Sequence, residues 1–115
     1  MAEFHRLLVP GGHLVVSVPF LQPYHPTPFD FRRFTRAGLT QLGERAGFAV
    51  VETFPVHSLA QTIGWLIWAH LEERRSRIGK LLCWLPIYLA SRSFQTPSPN
   101  QTYAANGFQA VMVKN

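Results

Sequence analysis

The run His13-Leu14-Val15-Val16-Ser17-Val18 places the hardest constraint on this chain. It is short, β-branched and apolar almost without interruption, the pattern of a strand covered on both faces, as in a parallel sheet. Such a strand needs neighbours on both sides, and the remaining sequence offers few. Residues 48–54 read as a second strand and residues 107–113 as an alternating third. Three strands make a thin sheet. The shortage of neighbours for residues 13–18 implies that part of the fold lies outside these 115 residues.

The intervening segments give an α/β order. Residues 2–8 have the spacing of the last turns of a helix, with Phe4, Leu7 and Leu8 on one face, and Val9-Pro10-Gly11-Gly12 ends it. Residues 19–31 contain Pro19, Pro23, Pro26 and Pro28, which forbid regular structure and stiffen the path. Thr35 is placed to cap a helix from Arg36 to about Ala46, with Leu39, Leu42 and Ala46 inward and Gly47 at its end. Gly38 and Gly43 each weaken that helix by roughly 1 kcal/mol relative to Ala, so it depends on packing. It joins the first two strands as a right-handed parallel crossover. Two helical stretches follow, about residues 58–71 and 78–89, with Pro86 expected to kink or restart the second. Residues 94–106, with Pro97 and Pro99, read as a polar loop.

Composition narrows the function classes. Hydrophobic residues make up 47% and charged residues 15%, enough to build a core. Nine Phe, three Trp and three Tyr are more aromatic mass than so small a body readily encloses, so some of it is expected to face a partner or a membrane. The net charge of +5 favours anionic partners. The cations are dispersed apart from Arg32, Arg33 and Arg36 and the 74–80 segment, and the tryptophans sit in apolar surroundings. That pattern speaks against a nucleic-acid groove. One cysteine, Cys83, excludes an internal disulfide and a cysteine-based zinc site, and His5, His13, His57 and His70 lack ligand-like spacing. The N-terminus does not read as a secretory signal and no apolar run reaches the roughly 18 residues of a spanning helix. The expected location is cytoplasmic, with peripheral contact at the inner face of a membrane as a further option.

The segment Glu3-Phe4-His5-Arg6-Leu7-Leu8-Val9-Pro10-Gly11-Gly12-His13-Leu14 resembles the helix–Pro-Gly-Gly–strand passage of class I S-adenosylmethionine-dependent methyltransferases. The block His25-x-x-Pro28-x-Asp30-Phe31-x-Arg33-Phe34-Thr35, then Gly38-Leu39, then Ala46-Gly47-Phe48, is similar to a bacterial, type 11-like subgroup of that superfamily. The resemblance covers most of residues 3–54 and, weakly, the final strand. It implies a partial Rossmann-like sheet in which residues 13–18 are the fifth strand and residues 48–54 the sixth. Residues 108–113 would then be an antiparallel seventh strand tucked between them, and residues 58–90 an inserted helical pair. It also implies S-adenosylmethionine as the cofactor of the complete domain. The family's Gly-x-Gly turn after its first strand and its acidic residue after the second have no counterpart here, since Gly11-Gly12 precedes a strand. No cofactor-binding residue is therefore assigned. The chain alone is expected to be inactive, and its first partner is the missing N-terminal half.

Ligands of open α/β sheets sit beyond the carboxyl ends of the parallel strands, and residues 19–31 leave that end of the first strand. They hold Tyr24, His25 and Asp30, followed by Arg32 and Arg33. His25 is a candidate general base with Asp30 orienting it, or either grips the substrate; Tyr24, Arg32 and Arg33 are candidates for binding an acceptor. The alternative is structural: Asp30 caps a turn and Arg33 pairs with it to fix the loop. The methyl acceptor is not specified by these residues. In the helical pair, Leu59, Ile63, Leu66, Ile67 and Leu71 share helical spacing, Trp65 and Trp68 widen that face, and residues 81–89 are apolar nearly all round. Three readings stay open: a cap or core element, a dimer surface, and a noncatalytic contact with an anionic membrane.

Overall fold

The computed structural model describes residues 1–25, 29–93 and 105–115. Pro26, Pro28, Pro97 and Pro99 lie outside the described residues. The elements are α1 (Ala2–Leu7), β1 (His13–Pro19), α2 (Arg36–Arg45), β2 (Phe48–Val56), α3 (Leu59–Glu73), α4 (Arg77–Ser93) and β3 (Gly107–Lys114). The chain is mixed α/β: among the described residues, four helices accompany one three-stranded sheet of order β1-β3-β2. The last strand lies between the first two and antiparallel to both, so β1 and β2 run in the same direction.

The core forms on one face of that sheet. Phe108, Ala110 and Met112 of β3 are buried with Leu39 of α2 and Phe48 of β2, and Leu14, Val16 and Val18 of β1 pack against them. Thr35 caps α2 by accepting a hydrogen bond from the Gly38 amide (3.0 Å), and Gly47 follows the helix at φ +89°. Gly43 lets α2 approach the sheet. A Cβ there would stand 2.7 Å from Met112 Sδ and 3.1 Å from Val50 Cγ2. The helix-weakening glycine is thus a packing requirement.

Strand β2 departs from simple alternation. Strict period two would bring Glu52 and Phe54 to the core face with Phe48 and Val50. A bulge between Val50 and Glu52 leaves Val51 exposed and shifts the parity. Thr53 and Pro55 then face the core opposite Ala110 and Phe108, and Glu52 is released to the other face.

Three expectations are corrected. First, β1 is not covered on both faces. It is an edge strand, with His13, Val15 and Ser17 exposed, because no helix among the described residues overlies that side. Second, Phe4 and Leu7 of α1 face solvent, while Met1, His5 and Leu8 turn inward. The His5 ring packs edge-on against Phe48 at 5.0 Å, in room left by Gly47. Third, Pro86 lies inside a continuous α4, so the helix does not restart there. Of the loop expected over residues 94–106, residues 94–104 lie outside the described residues; Ala105 and Asn106 belong to no helix or strand and are buried.

Helices α3 and α4 form an antiparallel pair that packs chiefly on itself. A capping box of Ser58 and Gln61 starts α3. It ends in a Schellman arrangement, with Ser76 N–H bonded to Leu71 O and Arg75 N–H to Glu72 O. Arg75 occupies the left-handed position, at φ 52°, where glycine is usual. Gly64 admits Ile87 and Gly79 admits Leu71 at the contact between the helices. The apolar face of the pair is largely exposed: the buried residues of α3 are Thr62 and Gly64.

Truncating the fully buried Phe108 to Ala should cost about 3–5 kcal/mol, read as a lower urea midpoint. Gly43→Ala should also destabilise, although helix propensity alone favours it by about 1 kcal/mol, because the buried Met112 has little room to yield.

Candidate functional site

The carboxyl ends of β1 and β2 and the amino end of β3 meet at one edge of the sheet. There the chain forms an open cleft of about 1010 Å³, lined by Ser17, His25, Arg32, His57 and Asn106, with Gly107 at the strand junction. Gly107 is required by proximity: a Cβ at this position would overlap the Val18 carbonyl oxygen. Asn106 is buried, and its side-chain oxygen accepts a hydrogen bond from Gln22 Nε2 at 2.6 Å.

Arg33 organises the loop between β1 and α2. Its guanidinium donates to the carbonyl oxygens of Phe20 (3.3 Å), Gln22 (2.5 Å) and Pro23 (3.0 Å), and Nε donates to Asp30 Oδ1 at 3.1 Å. A further bond joins its second terminal nitrogen to Asp30 Oδ2. All five donors of a planar guanidinium are engaged by the chain itself, a pattern that lysine could not reproduce. Asp30 also accepts from the backbone N–H of His25 at 3.3 Å. Hydrogen bonding from Arg33 holds the Asp30 carboxyl below its ordinary value, outweighing the opposing effect of burial.

Of the sequence candidates, His25, Asp30, Arg32 and Arg33 line the cleft together. Their roles divide. Asp30 and Arg33 form the structural pair, and Asp30 holds the main chain of His25 rather than its imidazole. Arg32 is exposed and, among the described residues, its guanidinium makes no hydrogen bond or ion pair, so it is available to an anion. Arg36, grouped with these two in sequence, points elsewhere: its Nε donates to Thr53 Oγ1 at 2.8 Å and satisfies a buried hydroxyl. Tyr24 is 73% exposed and lies in a separate groove with Pro23, Leu66 and His70.

His57 is the cleft residue that sequence reasoning passed over. It follows the last residue of β2 and precedes the capping residue Ser58, with φ 65°. A histidine in the left-handed region is uncommon and carries backbone strain. Its signal in sequence is only its place between a strand and the capping pattern Ser58-x-x-Gln61. The cleft thus gathers two imidazoles, groups able to take up a proton, and the Arg32 guanidinium, a group able to pair with an anion. No protein-family model, no curated protein and no solved structure matches this chain.

Because the folded Asp30 has a lowered pKa, its contribution to loop stability is complete above the ordinary carboxylate range. It is lost as pH falls through the depressed value. The side-chain carboxyl carbon resonance of Asp30 should therefore show its titration step below the ordinary carboxylate value. A step at or above that value would contradict the clamp, and Arg33→Gln should move the step back up toward it. Gly107→Ala should destabilise by about 1–3 kcal/mol through overpacking, measured by thermal unfolding.

Proposed function

We propose that the chain supplies the acceptor-side cleft and part of the sheet of an S-adenosylmethionine-dependent methyltransferase. Polypeptide outside it would hold the cofactor. The observation that carries this reading is the position of β3, antiparallel between β1 and β2, with the cleft at the carboxyl ends of the two co-directional strands. The motif resemblance over residues 3–54 supports it independently.

The residues present do not fit the cofactor. The Gly11-Gly12 turn lies at the amino end of β1, opposite the cleft. Its Gly11 N–H is bonded to Lys114 O (2.8 Å), and Gly12 O accepts from Lys114 N–H (2.9 Å). These glycines tie the start of β1 to the end of β3, and with Gly12 N–H bonded to Val9 O (2.9 Å) both glycine amides are already engaged within the chain. The chain's own contribution is to bind and orient the acceptor. His25 and His57 are the groups able to take its proton, Arg32 pairs with an anionic part of it, and Asp30 with Arg33 fixes the loop that presents them.

The coding DNA directly upstream should encode, in frame, a strand, a Gly-x-Gly turn, a helix and a following acidic residue. A stop codon just upstream, with no separate gene for such a half, would sink the proposal. When both halves are present, His57→Gly should lower methyl transfer while leaving stability unchanged or raised by up to about 1 kcal/mol, because glycine relieves the left-handed strain. A loss of stability that tracks the loss of activity would argue against a role in the cleft.

A further inference from the structure

Helix α4 presents a long run of exposed apolar side chains. Ile78, Leu81, Leu82, Leu85 and Leu89 recur at three- and four-residue intervals, on the side away from the α3 contact made by Gly79 and Ile87. They are 74, 77, 70, 52 and 54% exposed. Trp84 stacks on Tyr88 at 5.5 Å beside this stripe, and Trp65 and Trp68 add exposed indole surface from α3. A patch of this extent is unusual on a free surface and marks a contact.

The charges select the occupant. Helix α4 contains Arg77, Lys80 and Arg92 and no acidic residue, and the preceding turn adds Arg74 and Arg75. Glu72, the nearest acid but one, is paired with Lys80. Arg75 keeps a cation in the left-handed position at the tip, where glycine would be unstrained. Pairing α4 with a second copy would set one all-cationic helix against another. No described helix is long and apolar enough to cross a membrane. A Leu-rich stripe with Trp and Tyr beside it and cations at both ends is what a helix lying in a lipid interface presents.

We propose that the α3–α4 hairpin docks the protein on an anionic bilayer surface. Helix α4 lies in the membrane plane, with Ile78, Leu81, Leu82 and Leu85 below the headgroups and Arg74, Arg75, Arg77 and Arg92 at the phosphate level. The site is separate from the cleft and does not depend on the methyl-transfer reading.

The test is flotation of the full chain with vesicles of phosphatidylcholine alone or mixed with phosphatidylglycerol. The protein should float with the mixed vesicles, with blue-shifted tryptophan emission, and added salt should weaken binding. The double variant Leu81→Gln/Leu85→Gln alters only exposed positions. It should keep the circular dichroism spectrum and bind at least about tenfold more weakly. Arg74→Gln/Arg75→Gln/Arg77→Gln should erase the preference for anionic vesicles. Failure to float with mixed vesicles would overturn the proposal. So would binding indifferent to both variants, or a dimer in sedimentation that the leucine variant disperses without any vesicle binding.

Discussion

Strand β3 is hydrogen-bonded along both of its edges, and the rest of the fold depends on that arrangement. Its inward residues Phe108, Ala110 and Met112 are the centre of the core, and α2 reaches them only because Gly43 has no side chain. The same strand brings the ends of β1 and β2 side by side, although 28 residues separate Pro19 from Phe48. Its amino end, Asn106-Gly107, forms the floor of the cleft, and its carboxyl end is tied to the Gly11-Gly12 turn. One strand therefore sets both the packing and the place of the site.

The cleft is stiffened by one side chain. Arg33 ties the described ends of the loop between β1 and α2 together, by meeting the carbonyl oxygens of Phe20, Gln22 and Pro23 and the Asp30 carboxylate. Desolvating a guanidinium is unfavourable unless its donors are met, so a fully bonded arginine at a loop base favours a single conformation. That commitment separates Arg33 from Arg32, its neighbour in sequence, which is exposed to solvent.

The two halves of the molecule follow different rules. The sheet and α2 bury Leu39, Phe48, Phe108 and Met112 on one face of the sheet. The α3–α4 hairpin buries only its base and the seam between its helices, where Gly64 and Gly79 admit Ile87 and Leu71. The radius of gyration, 17.0 Å, exceeds the roughly 13 Å of a compact chain of about 100 residues, in keeping with a pair of helices that packs mainly on itself. Its apolar stripe and its cations suit a medium that is oily on one side and anionic at its boundary.

Sequence by itself determined the order of elements, the Thr35 cap, the Gly47 helix end and the three strands. Each of these is a local matter of dihedral preference, capping geometry and hydrophobic period. It also marked His25, Asp30, Arg32 and Arg33 as one cluster, because a single loop joins them. Only tertiary structure decided which face of a segment is inside. The bulge at Val51 reverses the parity of β2, His5 replaces Phe4 on the inner side of α1, and the apolar face of the helical pair remains exposed. Tertiary structure also separated Arg33 from Arg32, moved Tyr24 out of the cleft and brought in His57. The physical reason is common to all of these. Periodicity says which residues share a face, but the partner that covers the face, or bonds the side chain, comes from a distant part of the chain or from outside it.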